Sequence, residues 1–177
     1  MLTGNILIRI ADERDSCYSS LITQTISEAS ADPHNGICKR SESLILDKIC
    51  SSEAILAIDT ISGEWAGFCY IQSWQGGSFV SSHALVVAKK FQQLKIADAL
   101  KKQILSLAQE RYPAAKIFGL TTSFAIMKIN TRLGYQPVTY EKVTSDEAFW
   151  KSCEGCSNHS ILISKQKKNC LCTAMLL

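Results

Sequence analysis

The sequence predicts an α+β fold in which a mixed α/β sheet is flanked by helices. Short apolar runs rich in β-branched residues alternate with longer segments whose apolar residues recur at helical spacing. These segments follow the order β-α-α-β-β-β-α-β-α-β over residues 5–143. The chain of 177 residues is 46% hydrophobic with only 3 prolines, which suits one compact domain with a short appendage. We therefore expect a domain over residues 1–145 and a Cys-rich appendage over residues 146–177.

The predicted strands are apolar runs bounded by turn residues. In chain order they lie at Ile6–Ile10, Ala54–Asp59, 64–73, 78–88, 116–120 and 135–140. The helices are predicted from the period of their apolar residues, at 15–29, at 41–51, from 94 to just before Pro113, and around Met127. Clusters of turn residues at 31–36, 61–63 and 75–77 separate these segments.

Charge and hydropathy exclude several classes of protein. A net charge of +3 is too small to indicate a nucleic-acid-binding protein. No apolar stretch is long enough to span a membrane, and the first fifteen residues carry charges where a signal peptide would need an apolar core. We therefore expect a cytoplasmic protein that has neither a nucleic acid nor a membrane as its partner.

A polar, basic turn joins the strand that ends near Ala88 to the next helix. The first helical turn, predicted near residues 94–97, has backbone N–H groups without intrahelical partners, and the helix dipole favours an anion beside them. Lys89, Lys90 and Lys95 add positive charge at the same place. The sequence therefore predicts a phosphate-binding turn.

This turn resembles the pyrophosphate loop of the GNAT superfamily of acyl-CoA-dependent N-acyltransferases. The family loop reads Gln/Arg-x-x-Gly-x-Gly/Ala after a strand that ends in valine, and here it reads Gln92-Gln93-Leu94-Lys95-Ile96-Ala97 after Val87. Lys95 replaces the central glycine, which lets the family's backbone approach phosphate closely. Helical φ/ψ angles are open to lysine, and its ammonium group can pair with a phosphate.

A second stretch, residues 124–135, is similar to a later GNAT helix that ends in Leu-Gly-Phe/Tyr. Here the helix ends in Leu133-Gly134-Tyr135, with Gly134 expected as a left-handed C-cap. Many family members have a tyrosine that protonates the CoA thiolate where this chain has Asn130. A carboxamide can hydrogen-bond the thiolate or the pantetheine arm but cannot be a general acid at neutral pH. Alternatively, Asn130 caps the helix or faces solvent.

The resemblance implies a GNAT-like fold and an N-acetyltransferase that uses acetyl-CoA. The acetyl group would pass by direct attack to a primary amine of a small molecule, of amino acid or polyamine type. The strand ending at Val87 would separate from its neighbour and offer free backbone groups to pantetheine. The implied cofactor-binding residues are Leu85, Val86, Val87, Gln92, Gln93, Leu94, Lys95, Ile96, Ala97 and Asn130. The alternative function is a non-catalytic acyl-CoA sensor of the same fold. The sequence leaves open whether the protein forms a homodimer.

His83 is the titratable residue of suitable pKa nearest to the implied site. Alternate residues of a strand share a face, so Ser81, His83, Leu85 and Val87 are predicted to lie on one side. Ser81 falls where some family members have a glutamate base, and His83 is a candidate base or proton relay. Alternatively, His83 is a structural residue. Of the polar residues near the expected acceptor pocket, Asp32, His34 and Glu42 are candidates to bind the amine, although a solvated loop explains them equally well.

The C-terminal segment contains two pairs of closely spaced cysteines. Cys153 and Cys156 form a Cys-x-x-Cys knuckle, and Cys170 and Cys172 would project from one face of a strand. Four thiolates suit a tetrahedral structural zinc ion, whereas a redox pair or four packed thiols are the alternatives. A small nucleic-acid-binding knuckle is a weaker alternative, because aromatic residues for base stacking are absent around it. The other four cysteines are expected in the core: Cys17, Cys38, Cys50 and Cys69.

Overall fold

The computed structural model describes residues 2–32 and 36–177, and its elements follow the predicted order. The strands are β1 (Leu2–Thr3), β2 (Ile6–Ile10), β3 (Ala54–Asp59), β4 (Trp65–Trp74), β5 (Phe79–Val87), β6 (Lys116–Thr121), β7 (Gln136–Val138) and β8 (Thr173–Leu176). The helices are α1 (Ser19–Ser30), α2 (Glu42–Cys50), α3 (Ile96–Arg111), α4 (Phe124–Arg132), α5 (Glu147–Lys151) and α6 (His159–Ser164). The predicted α+β class is confirmed.

The described strands form one mixed sheet in the order β1-β2-β3-β4-β5-β6-β8-β7. Neighbouring strands are antiparallel except for β5 and β6, which are parallel and connected through α3. Apolar residues of α3 pack on one face of the sheet, and those of α1 and α2 pack on the other. Both faces of the central strands are therefore covered, which explains why β3 and β4 are nearly continuous apolar runs.

The segment after residue 145 contributes to this sheet and to its core. Strand β8 lies between β6 and β7 and pairs antiparallel with both. Phe149 and Trp150 of α5 are only 3% and 6% exposed, and the Phe149 ring packs edge-on against Trp74 and Phe118 at 5.2 and 5.0 Å. Apolar burial therefore fixes this segment on the sheet.

Several element boundaries differ from the prediction by one to four residues, and two of the changes have a clear local cause. Residues 13–18 form a 3₁₀ turn, capped by Asp12, before α1 begins at Ser19. The strand predicted at 135–140 is shortened to Gln136–Val138, because a 3₁₀ turn follows at Tyr140–Lys142. Gly134 has a φ of +98°, as expected for the residue that ends α4. None of the described helices has the length and hydropathy needed to cross a membrane.

Candidate active site

Strands β5 and β6 separate after a short paired stretch. Their register runs from Phe79 opposite Lys116 to Ser81 opposite Phe118, whereas β5 continues to Val87 beside β4. The edge of β5 beyond Ser81 therefore faces an opening between the two strands. The residues predicted to offer backbone groups to pantetheine, 85–87, lie along this open edge.

A bulge at Ala84 changes which face the following side chains occupy. Ala84 has a φ of +52°, and the pairing of β4 with β5 shifts register at this point. His83 stacks on Tyr70, on the face covered by α1 and α2, whereas Leu85 and Val87 pack on the α3 face. The prediction that Ser81, His83, Leu85 and Val87 share one face is therefore wrong, because strict alternation ends at the bulge.

The predicted phosphate-binding turn leads into α3, which begins at Ile96. Its N-cap is Lys95, with φ 57° and ψ 19°, and Gln93 has a φ of 69°. Lys95 thus takes the left-handed conformation that a glycine takes at lower cost, and not the right-handed helical one expected from the sequence. Among the described residues, none accepts a hydrogen bond from the backbone N–H of Ile96 or Ala97. Left-handed residues beside free N–H groups form a concavity of the kind that binds anions.

The lysines around this turn differ in their pairing. Lys90 forms an ion pair with Glu64 across the neighbouring hairpin. Within the described residues, Lys89 and Lys95 form no ion pair. Two of the three predicted cations are therefore available to an anion bound at the start of α3.

A cavity of about 320 Å³ lies where β5 and β6 separate. Residues 81–85 of β5 and 119–121 of β6 line it, together with residues from α3, α4 and the segment after residue 145. The segment 36–40 before α2 closes another side. None of the described lining residues is Asp or Glu, whereas Arg40 and Lys101 are among them.

Hydrogen bonds favour one tautomer of His83. Trp74 Nε1 donates to Ser81 Oγ at 2.7 Å, and Ser81 Oγ lies 2.6 Å from His83 Nε2. Since Ser81 already accepts from Trp74, its own proton is best donated to His83 Nε2, which leaves the imidazole proton on Nδ1. Burial lowers the pKa of His83 well below 6.5, with the charges of Arg40, Lys48 and Lys101 adding to the effect. His83 is therefore a neutral ring, and its favoured tautomer can donate from Nδ1 to a ligand.

Arg40 is held at the cavity by uncharged oxygen atoms and by the side chain of Cys38, with which it forms a hydrogen bond. Its Nε donates to Tyr70 Oη at 2.8 Å, and its Nη1 donates to the carbonyls of Lys39 at 3.0 Å and Ser152 at 3.4 Å. No described carboxylate pairs with it. The guanidinium N–H groups that these partners leave over can donate to the carboxylate of a ligand.

Lys101 and Asn130 line the same cavity from α3 and α4. Lys101 is 4% exposed, and its Nζ donates to Ser82 Oγ at 2.8 Å. Asn130 is 1% exposed, so it neither faces solvent nor acts as a surface cap. Its Nδ2 contacts Met175 Sδ at 3.6 Å, and its Oδ1 has no hydrogen-bond partner within the described part of the chain.

Five cysteines line one side of the cavity: Cys38, Cys153, Cys156, Cys170 and Cys172. A hydrogen bond from Cys153, aided by the nearby Arg40, lowers the pKa of Cys38 to about 6. Cys170 Sγ lies 2.8 Å from Tyr140 Oη and accepts from the backbone N–H of Cys172 at 3.2 Å. Cys17 and Cys50 are exposed, so of the four cysteines expected in the core only Cys69 is buried.

The structure does not support the zinc site predicted at Cys153, Cys156, Cys170 and Cys172. Among the described residues, no three or more His, Cys, Asp or Glu side chains are arranged to hold a metal ion. Strand β8 begins only at Thr173, so Cys170 and Cys172 precede the strand from which they were expected to project. The two pairs also have separate partners, since Cys153 contacts Cys38 whereas Cys170 contacts Tyr140.

The sequence analysis did not identify Arg40 and Lys101 as cavity residues. Two of the three polar residues that it named for the acceptor pocket do not line the cavity. Glu42 accepts from Ser19 Oγ at 2.7 Å, and neither Glu42 nor Asp32 lines the cavity, whereas His34 lies outside the described residues. Arg40 carries no motif that marks it. Lys101 had a usable signal, because it interrupts the apolar stripe of α3, where a lysine is exceptional.

Comparisons with known proteins show the fold. No protein-family model and no curated protein matches the chain. Rv2747 from Mycobacterium tuberculosis, solved with CoA and NLQ, is similar over 97% of this chain and 98% of its own, with 16% identity and a TM-score of 0.68.

Two further solved structures agree. N-acetylglutamate synthase from Neisseria gonorrhoeae, solved with coenzyme A and N-acetyl-glutamate, is similar over 98% of this chain and 35% of its own, with 15% identity and a TM-score of 0.67. A GNAT-family acetyltransferase from Staphylococcus aureus Mu50 is similar over 80% of this chain and 90% of its own, with 15% identity and a TM-score of 0.60. The chain therefore has the fold of the GNAT acetyltransferases.

Proposed function

We propose that this protein is an N-acetyltransferase that moves an acetyl group from acetyl-CoA to the amino group of a small amino acid. The acceptor class is inferred mainly from the cation-lined cavity at the opening between β5 and β6. Its described lining includes Arg40 and Lys101 but no carboxylate. A carboxylate-bearing amine complements this lining.

Polyamines suit the same cavity poorly. A polyamine carries several positive charges, and its transfer from water into a cavity needs carboxylates to offset them. Arg40 would instead repel it. The amino acid half of the sequence-based expectation is therefore favoured over the polyamine half.

A neighbour of the same fold supports this acceptor class. The gonococcal enzyme is an N-acetylglutamate synthase and was solved with coenzyme A and N-acetyl-glutamate. Glutamate is therefore the first acceptor to test.

In this proposal the chain holds acetyl-CoA mainly by its backbone. The free N–H groups at the start of α3, with Lys89 and Lys95, bind the pyrophosphate. The open edge of β5 over residues 85–87 pairs with the pantetheine arm, which directs the thioester into the cavity. The cofactor residues named from the sequence, including Gln92, Gln93, Leu94 and Asn130, keep these roles here as proposals.

The cavity also prepares the acceptor amine. Arg40 binds the acceptor's carboxylate, and the nearby cations lower the pKa of an amine beside them, so more of it is in the neutral form that attacks a carbonyl. His83, supported by Ser81, donates from Nδ1 to an oxygen of the acceptor or of the acyl group. Neutral His83 is better placed to orient the reactants than to remove a proton.

An acyl-CoA sensor without turnover is the second candidate. It is favoured by the two departures from the GNAT pattern, Lys95 in the pyrophosphate loop and Asn130 in place of a tyrosine. Both candidates bind acetyl-CoA, so only turnover separates them.

Calorimetric titration with acetyl-CoA, followed by an acceptor panel, tests the proposal. The panel contains glutamate, glutamine, glycine, spermidine and tryptamine, and mass spectrometry detects each N-acetylated product. We expect binding of acetyl-CoA, turnover of amino acids and none of spermidine. Binding without any product would favour the sensor, and preferential acetylation of spermidine would contradict the assignment of Arg40.

A further inference from the structure

Acetyl transfer leaves a CoA thiolate that must be protonated, and Asn130 cannot supply the proton. We propose that Lys101 is the general acid that protonates this thiolate. This inference rests on the proposed function and names a catalytic residue that no motif in the sequence indicates.

Lys101 reaches the point where β5 and β6 separate. Ser81 opposite Phe118 is the last pair between β5 and β6, and Ser82 is the next residue along β5. The Nζ of Lys101 donates to the Ser82 hydroxyl at 2.8 Å, so the ammonium group lies at the point where the strands separate. A thioester entering along the open edge of β5 approaches this point.

The ammonium group of Lys101 is buried without a counter-charge among the described residues. Lys101 is 4% exposed, and within the described residues it forms no ion pair. Its Nζ lies 5.4 Å from the centre of the Tyr135 ring, which is a weak partner for a charge. A buried cation of this kind is costly to a fold, so a transient anion such as a thiolate would be its natural partner.

The groups that face Lys101 do not compete for this role. They are the Ser82 hydroxyl on β5, the Cys69 thiol on β4 and the Tyr135 ring after α4. The neutral His83 ring lies on the other face of the sheet, and the charge of Lys101 still lowers its pKa. Burial raises the pKa of Cys69 to about 12 and raises that of Tyr135 further, so both stay protonated and neutral. Burial lowers the pKa of Lys101 to about 8, near that of a thiol.

Asn130 completes the arrangement as a positioning residue. Its buried Oδ1 lacks a partner among the described residues and lines the same cavity as Lys101. This oxygen can accept a hydrogen bond from a donor of the bound cofactor, such as a pantetheine amide. Asn130 would then hold the arm while Lys101 supplies the proton.

When the tetrahedral intermediate collapses, the C–S bond breaks and its electron pair goes to sulfur. A proton moves from the Lys101 ammonium group to that sulfur, giving the CoA thiol and a neutral lysine amine. Lys101 then takes up the proton that the substrate nitrogen loses as it becomes an amide.

The first experiment needs no acceptor. The thiolate absorbance of bound CoA is measured against pH in the ultraviolet, after subtraction of the free protein, for the wild type, Lys101→Met and the exposed control Lys102→Met. An ammonium beside the sulfur favours the thiolate, so at pH 7 its fraction should be on the order of tenfold or more larger in the wild type and the control than in Lys101→Met. Equal thiolate fractions in all three proteins would overturn the proposal.

The second experiment measures turnover with the best acceptor of the panel. Lys101→Ala should lower kcat on the order of 100-fold and leave KM for acetyl-CoA nearly unchanged, and added ethylammonium should restore part of the rate. The wild-type kcat should fall as pH rises through about 8, where Lys101 loses its proton, and this limb should be missing in the variant. A retained limb, or no rescue by ethylammonium, would overturn the assignment. Absence of all turnover in the wild type, with the thiolate effect present, would overturn the proposed function but not the placement of Lys101 beside sulfur.

Discussion

The turn proposed to bind the cofactor and the cavity proposed to bind the acceptor are built in opposite ways. The turn occupies one continuous stretch, residues 87–97, and offers mainly backbone N–H groups at the start of α3. The cavity collects side chains from segments far apart in sequence, such as Arg40, His83, Lys101 and Phe149. A site made of local backbone can be recognised from one segment of the sequence. A site made of side chains from distant segments is assembled only when the chain folds.

The difference also governs tolerance to substitution. Lys95 stands where the GNAT loop pattern has a glycine, and it takes a left-handed conformation at a cost of roughly 1–2 kcal/mol. A backbone N–H group is present whichever side chain the residue carries. A change at Arg40, by contrast, removes the only atoms that perform its function.

The largest effect is expected where a side chain blocks the backbone site. Ala97→Glu places a carboxylate beside the N–H groups proposed to bind pyrophosphate, where it can occupy them and repel the ligand. We expect calorimetry to show an acetyl-CoA affinity lowered more than about 1000-fold. Gln109→Glu is the matched control, since it adds the same charge at the exposed far end of α3. Unchanged affinity in Ala97→Glu would show that the cofactor binds elsewhere.

The contrast between a site of local backbone and a site of distant side chains also explains which features could be predicted from the sequence. The order of elements, the turn before α3 and the glycine cap of α4 follow from local periodicity and propensity, and the structure contains all three. The bulge at Ala84 was not predictable, because it depends on how β5 pairs with β4, and alanine carries no sign of a positive φ. The cysteine pairs were recognised, but their contacts with Cys38 and Tyr140 depend on tertiary packing.

Removal of the proposed carboxylate anchor should give the next largest effect. Arg40→Gln keeps a hydrogen-bonding side chain but loses the charge, so kcat/KM for the best amino acid should fall on the order of 100-fold. Acetyl-CoA affinity should stay within about twofold of the wild type, because the cofactor binds at the other region. Lys39→Gln removes the same charge from the exposed neighbouring residue and should have little effect. A parallel loss of cofactor affinity would mean that Arg40 supports the whole fold.

Alkylation of Cys38 tests whether its lowered pKa and its place in the cavity are as described. A cysteine whose pKa is about 6 is mostly thiolate at pH 7, whereas one of ordinary pKa near 8.5 is only a few per cent thiolate, so Cys38 should react roughly thirtyfold faster. Its reaction rate should rise as pH increases through about 6 and then level off. Iodoacetamide should block acceptor turnover in the wild type, with Cys38→Ser as the resistant control. A hydrogen bond from Cys172 also lowers the pKa of Cys170 to about 6, so Cys170 should react at a similar rate. Peptide mass spectrometry showing any cysteine other than these two as the fastest to react would contradict the contacts assigned to Cys38.

The smallest effect is expected at His83, and it separates hydrogen-bond donation from proton removal. Asn can donate from the position of Nδ1 but not from that of Nε2, whereas Gln does the reverse. If His83 donates from Nδ1, His83→Asn should keep kcat within a few-fold of the wild type, and His83→Gln and His83→Ala should lower it about tenfold or more. The pKa of His83 lies well below 6.5, so this ring should contribute no limb to the kcat profile between pH 6.5 and 9. Equal losses in Asn and Gln variants, together with a limb that disappears in both, would instead identify His83 as the base and place proton removal on the same side of the cavity as Ser81.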